Sequence, residues 1–299
     1  MEMLRIQDLK KSFGDKAVLQ GLNLSVPQNS IFGFVGRNGA GKTTTMKIIL
    51  GLLKADEGEI TVAGERVVYG QTVTNKYIGY LPDVPEFYGF MTAGEYLYFC
   101  GEITGIDKGT LKSRSEELLR LVGLSDEKHR IKGFSRGMKQ RLGIAQALLN
   151  KPKLLICDEP TSALDPVGRK EILEILQRVK EETTVLFSTH ILSDVERICT
   201  DVAFLKDGVI RTQGKVSDIK ALYRKEEYMV ETDTGEDLSK LLNRFKGAKY
   251  LSPTQLLFSE TEHSLFEILA YINGEKISVV KIERQEPTLE SLFMEVVKK

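Results

Sequence analysis

The chain has 299 residues, enough for about two domains at roughly 150 residues each, and 41% of its residues are apolar. Its 42 Lys and Arg balance 42 Asp and Glu, so there is no basic surplus of the kind that binds nucleic acid through its phosphates, and no nucleic-acid partner is expected. No run approaches the roughly 20 apolar residues that cross a bilayer, and the N-terminus shows no signal-peptide pattern. These features predict a globular, cytosolic protein.

In chain order, residues 1–222 alternate short β-type runs with helical patterns, which is typical of an α/β sheet domain. Two runs are continuously apolar and predict central strands, and Asp207-Gly208 predicts a hairpin. A mainly helical insertion occupies about residues 90–150, and Thr92 and Glu95 predict a capping box for its first helix. The predicted strands span residues 4–9, 31–36, 59–63, 77–81, 153–157, 184–188 and 202–205.

The remaining residues, 223–299, follow a different order and predict a second domain. Strand, helix, strand, strand, helix and strand patterns succeed one another, which is the ferredoxin-like α+β arrangement. A further helix is expected after Pro287. We place the boundary near residues 222–227, after residue 222, where the segment 223–227 has a solvated pattern. The predicted elements span residues 228–231, 238–245, 248–251, 255–259, 265–272 and 276–282.

A G-x-x-x-x-G-K-[ST] pattern, which predicts a P-loop, lies between a buried strand and a helical run. In such a loop the backbone amides surround the phosphates, the lysine reaches the β and γ phosphates, and the hydroxyl binds Mg²⁺. The pattern alone leaves GTPases, kinases and motor or transport ATPases open. The residues assigned to nucleotide binding are Gly36, Arg37, Asn38, Gly39, Ala40, Gly41, Lys42, Thr43 and Thr44.

Two adjacent acids, Asp158 and Glu159, end the second apolar run. With the P-loop upstream, Asp158 is predicted to bind Mg²⁺ together with Thr43, and Glu159 to polarise the attacking water. Taken alone, the pair is better explained by a solvated acidic turn after a strand. A GTPase should carry N-K-x-D, but Asn75-Lys76-Tyr77-Ile78 lacks the aspartate, so guanine specificity has no visible basis.

The segment Phe134-Ser135-Arg136-Gly137-Met138 resembles the L-S-G-G-Q signature of ATP-binding-cassette (ABC) ATPases. Ser135 and Gly137 are kept, whereas Arg136 and Met138 replace a glycine and the glutamine. The resemblance implies a P-loop NTPase of the ABC ATPase fold with a helical insertion and an antiparallel β-layer, joined here to the ferredoxin-like domain.

Three further positions extend the resemblance over residues 1 to about 220. Asp165 ends a segment similar to the D-loop, His190 resembles the switch histidine at a strand end, and Phe13 resembles the aromatic that stacks on adenine. Each also has a structural reading: Phe13 as packing at the edge of a β-layer, Asp165 as a helix cap before Pro166, and His190 as a cap or core histidine.

One position departs from the family pattern. After the strand at residues 77–81 the family usually carries a glutamine that senses the γ-phosphate and magnesium, and this chain has Asp83. An amide donates and accepts, but a carboxylate only accepts. We expect Asp83 still to contact the metal or its waters and to link the nucleotide state to residues 84–91.

The resemblance implies that ATP lies between the P-loop of one subunit and Ser135 and Gly137 of another, in a homodimer or a pair with a similar subunit. Lys42, Glu159 and His190 would act in hydrolysis. Separate integral-membrane permease subunits would hold the protein at the inner face of the cell membrane for bacterial export of a drug, antibiotic, ion or lipid-type substrate. A soluble ABC ATPase acting on the ribosome or DNA is the alternative, which a single cassette without sustained heptads disfavours.

Overall fold

The computed structural model describes residues 1–71, 73–222, 226–285 and 287–298, with side chains as far as Met294. Its contacts divide the chain into two compact units, one of Met1–Ser217 and the residues from Phe293 onward, the other of Asp218–Leu292. The division falls after Ser217 and not after residue 222 as predicted. It also assigns the residues from Phe293 onward to the first unit, where the prediction had them in the second. Residues 223–225 of the predicted boundary segment lie outside the described residues.

The first unit contains two sheets. A six-stranded sheet has the order β10-β9-β3-β8-β7-β6 and is parallel except for the hairpin of β9 and β10, and a four-stranded antiparallel sheet has the order β2-β1-β4-β5. Their strands are β1 (Glu2–Phe13), β2 (Lys16–Pro27), β3 (Ile31–Gly36), β4 (Glu57–Val62), β5 (Glu65–Arg66), β6 (Ile78–Leu81), β7 (Leu154–Cys157), β8 (Thr184–Thr189), β9 (Asp201–Lys206) and β10 (Val209–Lys215).

The core explains why the continuous apolar runs became central strands. Every residue of β3, β7 and β8 is buried, as a strand covered on both faces requires. On the antiparallel side the apolar residues alternate, and Leu4, Leu22 and Ile60 join Phe34 and Leu186 in one buried cluster. The predicted hairpin at Asp207-Gly208 is confirmed, with positive φ at both residues.

Helices cover the sheets and form the predicted insertion. Thr92 accepts from the amide of Glu95, whose carboxylate accepts from the amide of Thr92, so the capping box is confirmed. Within the described ranges, no helix combines the length and apolar character needed to span a membrane. The helices up to residue 222 are α1 (Lys42–Ile49), α2 (Ala93–Ile103), α3 (Lys108–Leu121), α4 (Arg136–Ala147), α5 (Pro166–Val179), α6 (Leu192–Ile198) and α7 (Val216–Leu222).

The second unit has the predicted order of elements in one antiparallel sheet, β12-β13-β11-β14, which is the ferredoxin-like arrangement. Phe245 and Phe258 pack edge to face in its core, 5.6 Å between ring centroids. The last strand begins three residues later than predicted because Lys276 has a positive φ and the amide of Ile277 closes onto the preceding helix. The elements from residue 227 onward are β11 (Glu227–Thr232), α8 (Gly235–Arg244), β12 (Lys249–Ser252), β13 (Gln255–Ser259), α9 (Leu265–Gly274), β14 (Val279–Arg284) and α10 (Leu289–Lys298), and α10 continues past the end of the second unit at Leu292.

Candidate nucleotide site

The loop between β3 and α1 has the backbone of an anion cradle. Gly39 and Gly41 have φ values of +81° and +111°, and a Cβ on Gly41 would stand 2.7 Å from Leu19, so the turn requires glycine there. Gly41 is the N-cap of α1 and has no side chain that could accept from the first-turn amides. The N-terminus of α1 therefore offers N–H groups and positive potential to an anion.

Lys42 lies at the centre of a buried ionic contact. Its ammonium donates to the carbonyl of Gly36 at 2.6 Å and lies 3.0 Å from Oε1 of Glu159, a distance for an ion pair without hydrogen-bond geometry. The other carboxylate oxygen of Glu159 is 2.9 Å from Nδ1 of His190. An ionised carboxylate only accepts, so Nδ1 carries the proton in this contact.

Asp158 is fixed by two hydroxyl groups. Thr43 donates to its Oδ2 at 2.7 Å and Ser188 donates to its Oδ1 at 2.6 Å, and the Asp158 side chain is buried. Ser188 Oγ also accepts from the amide of Glu159 at 2.9 Å. Glu159 has a positive φ of 48°, a strained conformation for a residue with a side chain, which directs its carboxylate toward Lys42.

This donor set suits Mg²⁺. The ion prefers oxygen ligands and keeps several waters, taking only one or two carboxylates besides substrate phosphates. Thr43 and Asp158 supply a hydroxyl and a carboxylate oxygen already adjacent to each other. The described residues contain no group of three or more His, Cys, Asp or Glu that would hold a metal without such phosphates.

A cleft of about 420 Å³ lies beside the P-loop and is lined by Lys42, Thr43, Glu159 and His190 among others. A neighbouring cavity of about 660 Å³ also includes Asn38, Gly39 and His190, together with Arg37, Ala40 and Phe293, whose ring lies 5.6 Å from that of Phe204. The predicted residues that line the 420 Å³ cleft are Asn38, Gly39, Gly41, Lys42, Thr43, Thr44, Asp83, Glu159 and His190.

The signature and D-loop residues occupy helix starts and do not line that cleft. Ser135 caps α4, and its hydroxyl accepts from the amide of Met138 at 3.2 Å. A Cβ added to Gly137 would make only ordinary van der Waals contact, the nearest at 3.9 Å from Leu164. Asp165 caps α5 by accepting from the amide of Gly168, with Pro166 in the first turn, so the structural reading of Asp165 is confirmed.

Phe13 lies at the end of β1, with its side chain about half exposed and Lys11 5.4 Å from its ring centroid. The ring does not line either cavity beside the P-loop. An exposure of 51% is compatible with both readings, stacking on adenine and packing at the edge of the β-layer.

Asp83 does line the cleft, and it pairs with a residue of α4. Oδ1 of Asp83 is 3.4 Å from Nη2 of Arg136, and Gln140 donates to the Asp83 carbonyl at 2.6 Å. Burial raises the pKa of the Asp83 carboxyl, Arg136 lowers it, and the charges of Asp158 and Glu159 raise it. Asp83 is therefore an acid held near two others with an arginine as its partner.

Two residues of the site were not singled out from the sequence. Ser188 would have been found from strand register, since Phe187 pairs with Cys157 and the next residues along the two parallel strands are Ser188 and Asp158. Gln140 lies 57 positions from Asp83 and no local pattern connects them.

Comparisons with known proteins give the same family as the sequence motifs. A family model described as ABC transporter matches residues 19–162, and one described as the C-terminal domain of DrrA1-3-like ATP-binding proteins matches residues 214–297. YxlF of Bacillus subtilis, described as an uncharacterized ABC transporter ATP-binding protein, is 37% identical over 99% of both chains. The bacitracin transport ATP-binding protein BcrA of Bacillus licheniformis is 35% identical over 99% of this chain and 97% of its own.

Solved structures are similar to about three quarters of the chain. One described as the ATP binding subunit of an ABC transporter has a TM-score of 0.66 and 32% identity, covering 74% of this chain and 93% of that one. Another is a dimeric post-hydrolysis state of an ATP-binding cassette bound to ADP and phosphate. It has a TM-score of 0.63 and 25% identity, covering 72% of this chain and 99% of that one.

The chain therefore belongs to the ATP-binding proteins of ABC transporters. This confirms the family and the fold predicted from the motifs. The protein binds nucleotide and is an ATPase of the ABC type.

Proposed function

We propose that the cleft binds the phosphates of ATP with Mg²⁺ and that Glu159 is the general base of hydrolysis. The observation that carries this assignment is the contact of Glu159 with both Lys42 and His190 at the end of the P-loop cleft. A phosphate in the cradle replaces Glu159 as the partner of Lys42. The carboxylate is then free to accept a proton from water, with His190 beside it.

In this assignment Thr43 and Asp158 hold Mg²⁺, which supplies charge neutralisation at the β and γ phosphates. Lys42 and the first-turn amides of α1 hold the phosphates, and Ser188 keeps Asp158 and Glu159 in register. Phe13 stacks on the adenine through its exposed ring.

The second half of each ATP site comes from another copy of this chain or a similar subunit. Ser135 and Gly137 lie at the N-terminus of α4, and the absence of a side chain at Gly137 lets a phosphate approach that helix closely. The dimeric state of a similar cassette bound to ADP and phosphate supports the pairing. In this proposal Asp165, at the start of α5, faces the nucleotide that the partner subunit binds.

The test of the base is the Glu159→Gln variant of the full chain. We expect phosphate release to fall by at least about 100-fold, while ATP binding is retained because the cradle is intact. Glu181→Gln, which neutralises an exposed glutamate, is the matched control and keeps its turnover. Hydrolysis at a near-normal rate in Glu159→Gln would remove Glu159 from the role of base.

Closing and opening of the dimer drives separate integral-membrane permease subunits, which hold the protein at the inner face of the cell membrane. Efflux of an antibiotic or a drug-like, ionic or lipid-type substrate is the direction we favour, since relatives include a bacitracin transport protein and a linearmycin resistance protein.

Purification of the tagged chain from detergent-solubilised membranes tests this partner. We expect a hydrophobic multi-span protein to accompany it. Recovery of ribosomes or DNA in its place would favour the soluble alternative.

A further inference from the structure

Two of the positions at which the chain departs from the ABC pattern, Asp83 and Arg136, are neighbours in space. Nη2 of Arg136 lies 3.4 Å from Oδ1 of Asp83, although 53 positions separate them in sequence. A carboxylate stands where an amide is usual, and a guanidinium stands where a glycine is usual. Since an ion pair needs both groups, the two departures form one feature.

The backbone beneath this pair is held firmly. Gln140, fully buried on the same helix as Arg136, donates to the Asp83 carbonyl at 2.6 Å. A Cβ on Gly143 would stand 2.5 Å from Leu81, so α4 packs directly against the end of β6. The distance between Asp83 and α4 is therefore fixed, and only the two charged side chains are free to change partners.

Those side chains lie where they have other partners available. Asp83 lines both the phosphate cleft and a cavity of about 440 Å³ that Arg136 shares. Both side chains are almost half exposed, at 47% and 45%, so their ion pair is weak. A guanidinium binds phosphate through two parallel hydrogen bonds, which is the stronger contact.

We propose that Asp83 holds Arg136 as a latch in the open subunit, and that dimer closure transfers Arg136 to a phosphate of the nucleotide bound by the other copy. This inference rests on the proposed dimer, in which the start of α4 faces that nucleotide. Arg136 must leave a carboxylate before it binds phosphate, so each latch opposes closure. The Asp83–Arg136 pair thereby sets the ATP concentration at which two copies close.

The test measures dimer formation against ATP concentration by sedimentation velocity with Mg²⁺, in the full chain carrying Glu159→Gln to prevent hydrolysis. Asp83→Asn removes the charge and keeps the shape. Losing one exposed ion pair shifts an equilibrium by about three-fold, and two such pairs break per dimer. The association constant of the dimer should therefore rise by about ten-fold in Asp83→Asn. With Arg136→Gln also present, closure is weaker and Asp83→Asn changes nothing.

The control is Lys139→Gln, which removes a positive charge from the same cavity and leaves the Asp83 partner in place. In that background Asp83→Asn keeps its full effect. If Asp83→Asn changes dimerisation equally with and without Arg136, the carboxylate acts on its own subunit's nucleotide and the latch is overturned. The latch is also overturned if Asp83→Asn has no effect at all. If the Glu159→Gln chain stays monomeric at saturating ATP, the proposed dimer itself is wrong and the latch falls with it.

Discussion

Ser188 ties the two acids of the nucleotide site together through a single hydroxyl. The group donates to Asp158 and accepts from the amide of Glu159, and it is completely buried. A serine at the end of one parallel strand therefore fixes the acidic pair at the end of the next. Its contribution is positional, since it touches the acids and does not line the phosphate cleft.

We expect Ser188→Ala to lower the unfolding free energy by about 1–3 kcal/mol, because it leaves a buried carboxylate oxygen and a partly buried amide without this partner. The turnover number should fall while the Michaelis constant for ATP changes little, since the phosphate cradle is untouched. Urea unfolding and phosphate-release kinetics measure the two effects. Ser113→Ala, on the exposed face of α3, is the control, and equal behaviour of the two variants would contradict the positioning role.

At the residue scale, the P-loop and the acidic pair were predictable because each chemistry needs particular residue types at a fixed spacing. Their orientation was not predictable. The positive φ of Glu159 and the pairing of Asp83 with Arg136 depend on how separate elements pack. No local pattern in the chain encodes contacts across 53 positions.

At the scale of elements, α4 and β6 form the support for the segment around Asp83. Gly79 in β6 faces α4 so closely that a Cβ would stand 2.1 Å from the carbonyl oxygen of Ala147. Backbone atoms cannot turn aside as a side chain does. This contact explains a glycine in a strand, where glycine is otherwise unfavourable.

Gly79→Ala should therefore destabilise the first unit by about 1–3 kcal/mol through overpacking. The matched variant is Gly94→Ala in α2, where the new Cβ meets only a side-chain atom at 3.9 Å. There we expect no loss and a gain of at most about 1 kcal/mol from helix propensity. Denaturant unfolding of both variants measures the difference, and a Gly79→Ala chain as stable as the parent would contradict the packing argument.

Elements were predictable where hydrophobic periodicity was regular. The long strand β2 was missed although Leu22, Leu24 and Val26 alternate, because the buried positions Leu19 and Leu22 are three residues apart. Gly21 lies between them with a φ of +88°, and the pairing with β1 changes register around Leu9. Such an irregularity breaks the period of two that identifies a strand.

At the scale of the whole molecule, the first family model matches residues 19–162 within the first unit, and the second matches residues 214–297, which include the whole second unit. The return of Phe293 to the first unit, beside Phe204, was not predictable because the pattern of the last helix shows only that it is amphipathic. Neutral net charge likewise hid a local arrangement, with Arg136 at the start of α4 opposite an acid of the cleft.

The central claim is that ATP joins two copies, each supplying the part of the site that the other lacks. Gly137 is the sharpest probe, because within the subunit an added Cβ would meet only ordinary contacts from 3.9 Å outward. In the proposed dimer the same Cβ would stand where the partner's phosphate approaches. Gly137→Ala should fold and bind ATP as the parent does, so any defect in association belongs to the interface.

Sedimentation velocity of the full Glu159→Gln chain, with and without ATP and Mg²⁺, tests this claim most directly. We expect a species of one chain without nucleotide, a species of twice that mass with it, and only the smaller species when Gly137→Ala is added. A single unchanged mass at saturating ATP, or an ATP-dependent dimer that Gly137→Ala leaves intact, would contradict the account.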